Sequence, residues 1–175
     1  MKSQVKNISL SSMFLAMGII LPMAFHWFTF TSGAVFLPMH IPVLLCGFLC
    51  GPFYGALVGI LTPLLSSVLT GMPMLMPVGV SMMFELMTYG ILSGICVKRF
   101  RIYPSLILTM LAGRAVSGVV TLVLLSFTGK AYTLAIFIGS AFVTAFPGIV
   151  LQLLVVPFLV RVVMKIRNQN RIDKI

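Results

Sequence analysis

Three ionisable residues of this chain stand inside long apolar runs, and they are the strongest candidates for chemistry. Glu85 is one of only two acids in the sequence, and Arg114 and His40 are each separated from other charges by many apolar positions. A charged side chain in such surroundings is costly, so it is usually paired or functional. A carboxylate accepts paired hydrogen bonds from an aminopyrimidine or binds a protonated pyridine, whereas an arginine or a charged histidine suits an acid. These residues predict a binding site for a small polar ligand.

The sequence lacks the patterns that catalysis or metal binding would need. It contains no Gly-x-x-x-x-Gly-Lys-Ser/Thr phosphate loop, no His-Glu-x-x-His pair and no Gly-x-Ser-x-Gly beside a suitable histidine. Cys46, Cys50 and Cys96 lie in apolar runs and predict neither a disulfide framework nor a metal site. We therefore expect no catalytic residue, no metal and no cofactor. The protein is predicted to bind a ligand without an energy source of its own.

The composition of the chain is that of a membrane protein. Its 175 residues are 60% hydrophobic and 8% charged, with a mean hydropathy of +1.17, which excludes a soluble globular domain. One membrane span needs about 20 apolar residues. Breaks in the apolar pattern therefore predict an all-α integral membrane protein, a compact bundle of six transmembrane helices forming a single domain over residues 1–175. The predicted spans are 8–25, 34–50, 52–70, 78–97, 104–127 and 133–164.

The basic residues predict how these spans are oriented. Ten of the 12 Lys and Arg residues fall at the termini or in the second and fourth connections, which six spans place on one side. By the positive-inside rule that side is the cytoplasm, so both termini are predicted to be cytoplasmic. Lys130 lies opposite and Arg114 lies within a span. The basic excess is thus interpreted as a topology signal, and no nucleic-acid partner is expected.

The polar residues of the predicted spans share a similar depth. At a rise of about 1.5 Å per residue, His40, Glu85 and Thr121 lie about 9–10 Å below the outer ends of their spans. Ser67 is slightly shallower, and Arg114 is near the midplane, from which its long side chain can reach outward. The connections 27–33 and 71–77 would cover this layer. The sequence therefore predicts an outward-facing pocket, with six candidate binding residues: Glu85, Arg114, His40, Ser67, Trp27 and Thr121.

Each of these candidates also has a structural interpretation that the sequence leaves open. Glu85 and Arg114 can form an ion pair that stabilises the bundle, and both interpretations can hold together. His40 can be a satisfied buried histidine. Trp27 is placed where interfacial aromatic residues normally anchor a helix, although it can also belong to a lid over the pocket.

Small residues four positions apart predict where helices approach closely. Gly47, Gly51, Gly55 and Gly59 form such a ladder from the second span into the third. Two interpretations are open: these residues pack the bundle internally, or one face docks another membrane protein, for which Gly55 and Gly59 are the candidates. Ser12 and Ala16 form a shorter pair on the first span.

Several short motifs follow one another along nearly the whole chain: Leu37-Pro-Met-His-Ile-Pro-Val-Leu-Leu-Cys-Gly47, Gly51-Pro-Phe-Tyr-Gly-Ala-Leu-Val-Gly59, Thr62-Pro-Leu-Leu-Ser-Ser67, Gly71-Met-Pro73, Phe84-Glu-Leu-Met-Thr-Tyr-Gly90, Gly113-Arg114 and Phe146-Pro-Gly148. Their order resembles the substrate-binding S components of energy-coupling factor (ECF) transporters. The resemblance implies a six-helix vitamin-capturing protein that joins a transmembrane coupling protein and two cytoplasmic ATPases. It also implies a docking pair of alanines on the first helix, where this chain has Ser12 in place of the first alanine and keeps the second as Ala16.

Physical complementarity is the remaining guide to the ligand. Because both signs of charge are present, we favour a small heteroaromatic vitamin or precursor of the pyridoxine or hydroxymethylpyrimidine type, followed by pantothenate. We expect a transporter subunit, not an enzyme, in the bacterial plasma membrane. The alternative is a stand-alone small-solute carrier or channel, against which the lack of an internal repeat counts. A scaffold protein without a ligand would leave the three ionisable residues unexplained.

Overall fold

The computed structural model describes residues 2–28, 37–127 and 139–172. Over these ranges the chain is helical and contains no strand, which confirms the all-α class. Two short segments with π-type hydrogen bonds, Leu75–Gly79 and Gly139–Thr144, precede the fourth and the sixth α-helix. The first of them is kinked at Met76, whose φ of −118° and ψ of 129° are not helical. The α-helices are α1 (Lys2–Phe28), α2 (His40–Cys50), α3 (Pro52–Thr70), α4 (Val80–Cys96), α5 (Ile102–Phe127) and α6 (Phe146–Ile172).

Five helical stretches are long and apolar enough to cross a membrane, and together they make this a multi-pass membrane protein. They are Gln4–Ala24, Pro52–Thr70, Leu75–Cys96, Ile102–Phe127 and Phe146–Ile166. The helix α2 has 11 residues and is too short by this measure, so the count of six spans stays a prediction. The predicted span 52–70 has the bounds of α3. The predicted spans 34–50 and 133–164 begin in residues outside the described part, namely 34–36 and 133–138.

The short helix α2 lies in the centre of the bundle. It contacts α1, α3, α4 and α6, and every one of its residues except Ile41 is buried. A helix that is apolar on all sides can be stable only where neighbours cover it on all sides. The apolar sequence of α2 therefore places His40, at its first turn, in the interior of the protein.

Glycines let α3 and α4 approach closely. A Cβ atom added to Gly59 would overlap the Leu86 carbonyl, and one added to Gly55 would overlap the backbone of Gly90. Gly94 meets Pro52 in the same way. The ladder therefore packs the bundle internally, which was one of its two interpretations. The prediction that Gly55 and Gly59 dock a partner is corrected accordingly, because both residues are buried within the chain.

The helix α1 packs through one face and leaves another exposed. Ser11, Phe14 and Gly18 are buried, and Gly18 lies against the Thr62 side chain of α3. Ser12 and Ala16, in contrast, lie on the exposed face. The predicted docking pair is thus on the outer surface of the subunit.

The basic residues gather at one end of the bundle. The Gly51-Pro52 turn contacts Gly94 near the end of α4, so the α2–α3 and α4–α5 connections are neighbours. The exposed residues Lys98, Arg99 and Arg101 follow in the second of these connections. From α6, the Arg161 guanidinium lies 5.3 Å from the centre of the Tyr103 ring. We call this the basic end.

Candidate functional site

A single acid, Glu85, organises the polar interior of the bundle. It lies on α4, where Ser81, Glu85, Tyr89 and Ser93 recur every four residues and are all buried. Side chains with this spacing share one face of a helix. Because this face is turned towards α2 and α5, the Glu85 carboxylate is only 2% exposed.

Three donors from three helices surround the Glu85 carboxylate. Arg114 Nη1 on α5 lies 3.2 Å from Glu85 Oε1, and His40 Nε2 on α2 lies 3.4 Å from the same oxygen. The Tyr89 hydroxyl donates to Oε1 over 3.2 Å, and Ser117 also interacts with the carboxylate. We call Glu85, Arg114, His40 and Tyr89 the Glu85 cluster. It joins α2, α4 and α5 through one carboxylate oxygen.

Close packing between α4 and α5 positions this cluster. A Cβ atom at Gly113 would overlap the Tyr89 ring, so only glycine lets α5 come this near. Arg114 follows directly and meets Glu85 as a result. The Tyr89 hydroxyl lies 3.4 Å from the Met110 carbonyl oxygen, to which it also donates. The Tyr89 ring packs at an angle of 63° to the His40 ring, with 5.4 Å between the ring centres.

The charges of the cluster compensate each other. Glu85 and His40 are almost fully buried, and the Arg114 side chain is 12% exposed. An isolated ion in such a place would cost several kcal/mol, whereas an opposite charge in contact, with further hydrogen bonds, offsets much of that cost. The Glu85–Arg114 pair therefore carries no net charge. The ion pair between Glu85 and Arg114 is present in the structure, and it leaves the binding interpretation open.

Tyr89 is the member of the cluster that the sequence analysis did not single out. Its signal was its position one helical turn after Glu85 in the motif Phe84-Glu-Leu-Met-Thr-Tyr-Gly90. A tyrosine in an apolar helix is usually an apolar filler or an interfacial anchor, so its residue type alone did not predict a hydrogen bond to Glu85. Only the buried position of its hydroxyl beside Glu85 shows its role.

Two other predicted binding residues do not contact the cluster. On α3, Gly59 is level with Glu85, because it packs against the carbonyl of the neighbouring Leu86. Ser67 is eight residues beyond Gly59, which is about 12 Å along the helix axis. Thr121 is seven residues beyond Arg114 on α5, or about 10 Å. Both are half-buried and lie in the direction away from the basic end. Ser67 and Thr121 are therefore not part of the Glu85 cluster but lie at a second level, further from the basic end.

The two connections predicted to cover the pocket differ in what the structure describes. Residues 29–36 and the Trp27 side chain lie outside the described part. After α3, the Ser66 and Thr70 hydroxyls donate to the Met72 carbonyl over 2.7 and 3.0 Å. These bonds hold the start of the 71–77 connection against the end of α3, which terminates at Gly71 with φ of 73°.

One cavity near the cluster lies between α5 and α6. It has a volume of about 130 Å³ and is lined by apolar side chains together with Arg114. The other lining residues are Ile107, Met110, Leu111, Ile149 and Leu153. Arg114 thus contacts Glu85 on one side and this cavity on the other.

The described residues contain no group of His, Cys, Asp and Glu side chains that could hold a metal ion. Ionisable side chains buried among membrane-spanning helices are typical of membrane proteins that bind or transport solutes. A family model described as "ECF transporter, substrate-specific component" matches residues 6–160. The chain therefore belongs to the substrate-specific components of ECF transporters, as its motifs had indicated. No curated protein and no solved structure gives a significant match.

Membership of this family defines the general role of the chain. It is a substrate-binding subunit of a transporter and not an enzyme, and it works with an ECF module that contains a coupling protein and ATPases. This sequence contains no phosphate loop for ATP. The ATPases of the module supply the energy for transport.

Proposed function

We propose that this chain captures a small water-soluble vitamin or vitamin precursor at the outer face of a bacterial plasma membrane. Uptake then requires a transmembrane coupling protein and two cytoplasmic ATPases. The observation that carries this proposal is the Glu85 cluster, a buried set of hydrogen-bonding groups in a family of substrate-binding subunits. The six-span bundle with both termini in the cytoplasm is part of the proposal, and the gathering of Lys98, Arg99, Arg101 and Arg161 at one end supports it.

The compensated charges of the cluster favour a neutral ring as the ligand. An anion such as pantothenate would have to take Arg114 from Glu85, which would leave the carboxylate with only neutral donors in a buried site. A neutral heteroaromatic ring can exchange hydrogen bonds with Glu85, His40 and Tyr89 without separating the ion pair. We therefore favour a ligand of the pyridoxine or hydroxymethylpyrimidine type and place pantothenate second.

The level above the cluster completes the proposed site. Ser67 and Thr121 offer hydroxyl groups about two helical turns outward from Glu85, a distance that a substituted single ring and its hydroxymethyl arms can partly span. Trp27 is proposed to cover the ligand from the first outer connection. The exposed pair Ser12 and Ala16 on α1 is proposed to dock the coupling protein, because small exposed residues let another membrane helix approach closely.

Calorimetric titration of the purified protein with a panel of water-soluble vitamins and precursors tests this proposal. We expect saturable binding of one compound, accompanied by a change in the fluorescence of Trp27, the only tryptophan. Glu85→Gln should weaken this binding at least about tenfold, because it replaces a charged acceptor by a neutral one and leaves Arg114 unpaired.

The control for this experiment is Ser93→Ala on the same helix. Ser93 is also fully buried, but its hydroxyl donates to the Gly90 carbonyl two turns away from Glu85. Normal binding by Ser93→Ala and weak binding by folded Glu85→Gln would support the site. Normal binding by both would make Glu85 purely structural, and no binding by the unsubstituted folded protein would refute vitamin capture.

The alternative function is a stand-alone carrier or channel. It predicts movement of the solute into liposomes that contain only this chain. The proposed function predicts movement only after the coupling protein and the ATPases are added together with ATP.

A further inference from the structure

The basic end carries exposed cations for which the described residues offer no acidic partner at the surface. Of the two acids in the sequence, Glu85 is buried against Arg114, and Asp173 lies outside the described residues. The positive-inside rule accounts for the number of these charges but requires no defined position for any of their side chains. The exposed cations are Lys98, Arg99 and Arg101 in the α4–α5 connection and Arg161 and Lys165 on α6.

One of these cations is held in a defined position where α5 and α6 meet. The Arg161 guanidinium of α6 lies over the Tyr103 ring of α5, 5.3 Å from the ring centre, and both side chains are exposed. The ring orients the guanidinium, whose planar fork of N–H donors matches the oxygens of a phosphate group. Arg101 stands two residues before Tyr103 and adds a second guanidinium to this part of the basic end. The contact between the two helices therefore has the chemistry of a phosphate site.

The cavity of about 130 Å³ continues along the same two helices. From Tyr103, the lining residues Ile107 and Leu111 lie one and two helical turns further along α5, and from Arg161, the lining residue Leu153 lies two turns back along α6. Ile107 and Leu111 are about half exposed, so the cavity opens to the surface of the bundle. We call it the α5–α6 groove. It faces the hydrocarbon of the membrane, because this part of α5 belongs to an apolar stretch long enough to cross it.

The length of the α5–α6 groove matches one leaflet of a membrane. Arg114 lines the groove and is eleven residues beyond Tyr103, or about 16 Å along α5. Half of a hydrocarbon core about 30 Å thick is about 15 Å. Arg114 directs Nη1 to Glu85, and the surface that lines the groove is apolar. An acyl chain whose head group lies at the basic end can therefore extend to Arg114 and leave its ion pair intact.

We propose that the basic end and the α5–α6 groove together bind one anionic phospholipid. Its phosphate is held by Arg161 and Arg101, and one of its acyl chains lies in the groove. The helices α5 and α6 pack less extensively than α4 and α5 do, so the chain adds contacts between two helices that share few. The proposal goes beyond the proposed function and does not depend on the identity of the transported ligand.

Two other occupants fit these observations less well. Free phosphate matches the guanidinium groups but cannot fill an apolar groove. A helix of a partner protein is about 10 Å wide and is too thick to enter a cavity of this volume. A phospholipid combines the negative charge and the thin apolar chain that the two parts of the site require.

Native mass spectrometry of the purified protein in detergent tests the head-group part of the site. Phosphatidylglycerol should bind at least about tenfold more tightly than phosphatidylcholine with the same acyl chains, because only the first carries a net negative charge. Arg161→Gln should weaken the binding of phosphatidylglycerol about tenfold, since it removes a charge-assisted hydrogen bond. Lys6→Gln is the matched control, because Lys6 is an exposed cation on α1, which packs against α2 and α3, and it should leave binding unchanged.

Three results would overturn the proposed head-group site. Equal affinities for the two lipids would show that the basic end does not select an anion. Equal weakening by Arg161→Gln and Lys6→Gln would show a diffuse attraction without a defined site. Displacement of phosphatidylglycerol by inorganic phosphate at a similar concentration would show a site for a free anion and not for a lipid.

A substitution that fills the groove tests the position of the acyl chain. Phosphatidylglycerol at about ten times its Kd should raise the midpoint of thermal unfolding of the unsubstituted protein by about 3–6 °C. Leu111→Trp should abolish this rise and weaken lipid binding several-fold, because the indole occupies the groove. Leu108→Trp is the control, since Leu108 is also about half exposed on α5 but does not line the groove, and it should behave like the unsubstituted protein. Normal lipid binding by Leu111→Trp, or equal losses in both variants, would contradict an acyl chain in the groove.

Discussion

Removal of the Arg114 charge should destabilise the bundle strongly. In Arg114→Met, Glu85 is a residue only 2% exposed whose carboxylate would keep only neutral partners, namely His40, Tyr89 and Ser117. Removing one partner of a buried ion pair typically costs about 3–5 kcal/mol. The Arg114 side chain is 88% shielded, so the pair belongs to the buried class and not to surface pairs of about 0–1 kcal/mol.

This cost corresponds to a large shift in thermal unfolding. For a chain of this length, about 1 kcal/mol shifts the midpoint by about 2–4 °C, so Arg114→Met should lower it by about 6–20 °C. The assay is helical circular dichroism of the purified protein in detergent. Lys98→Met is the matched control, because it removes a charge from an exposed position and should stay within about 2 °C.

The double variant separates the interaction energy of the Glu85–Arg114 pair from the effects of the two single substitutions. Glu85→Gln combined with Arg114→Met leaves no uncompensated charge, so it should recover at least half of the loss seen with Arg114→Met alone. The reasoning would be refuted if Arg114→Met melted within about 2 °C of the unsubstituted protein. Strict additivity of the two single changes would refute it as well, since it would show that the two side chains do not interact.

Two further predictions concern packing and docking. Gly113→Ala should lower stability by about 1–3 kcal/mol, because the added methyl group overlaps the buried Tyr89 ring. Gly71→Ala is not a suitable control because Gly71 has a positive φ, so we use Gly139→Ala, whose added methyl group meets no atom of the described residues and which should unfold at the same temperature. Equal midpoints for all three proteins would contradict the close approach of α5. Ser12→Leu should reduce recovery of the coupling protein in pulldowns about tenfold without changing the midpoint of thermal unfolding. Met13→Leu, at an exposed neighbouring position, is the control and should recover the coupling protein normally. Full recovery with Ser12→Leu would show that Ser12 is not part of the docking surface.

The sequence determined the all-α membrane class of the protein and, for one helix, its bounds. Apolar runs and their breaks are local signals, so the bounds of α3 were predicted to the residue. The family followed from motifs that are also local. The ionisable candidates were found for a related reason: a charge at Glu85, Arg114 or His40 is conspicuous against apolar neighbours and needs a partner wherever the helices place it.

The roles of the small residues were left undecided because packing depends on which helices are neighbours. Gly55 and Gly59 have the same spacing as a docking motif and as an internal contact, and only the approach of α4 decides between them. Ser12 and Ala16 have a similar pattern and lie on the exposed face instead. Small residues predict that a close helix contact forms, but they do not predict which helix forms it.

Depth along a helix, which the sequence does give, is not enough to define a site. Ser67 and Thr121 were predicted at nearly the depth of Glu85, but the register between helices puts them about two turns away. That register is fixed by close contacts at glycines, such as Gly59 with the Leu86 backbone and Gly113 with the Tyr89 ring. The sequence alone determined which groups must find partners in this protein, and the tertiary structure decided which partners they found, because helix register arises from contacts between distant segments.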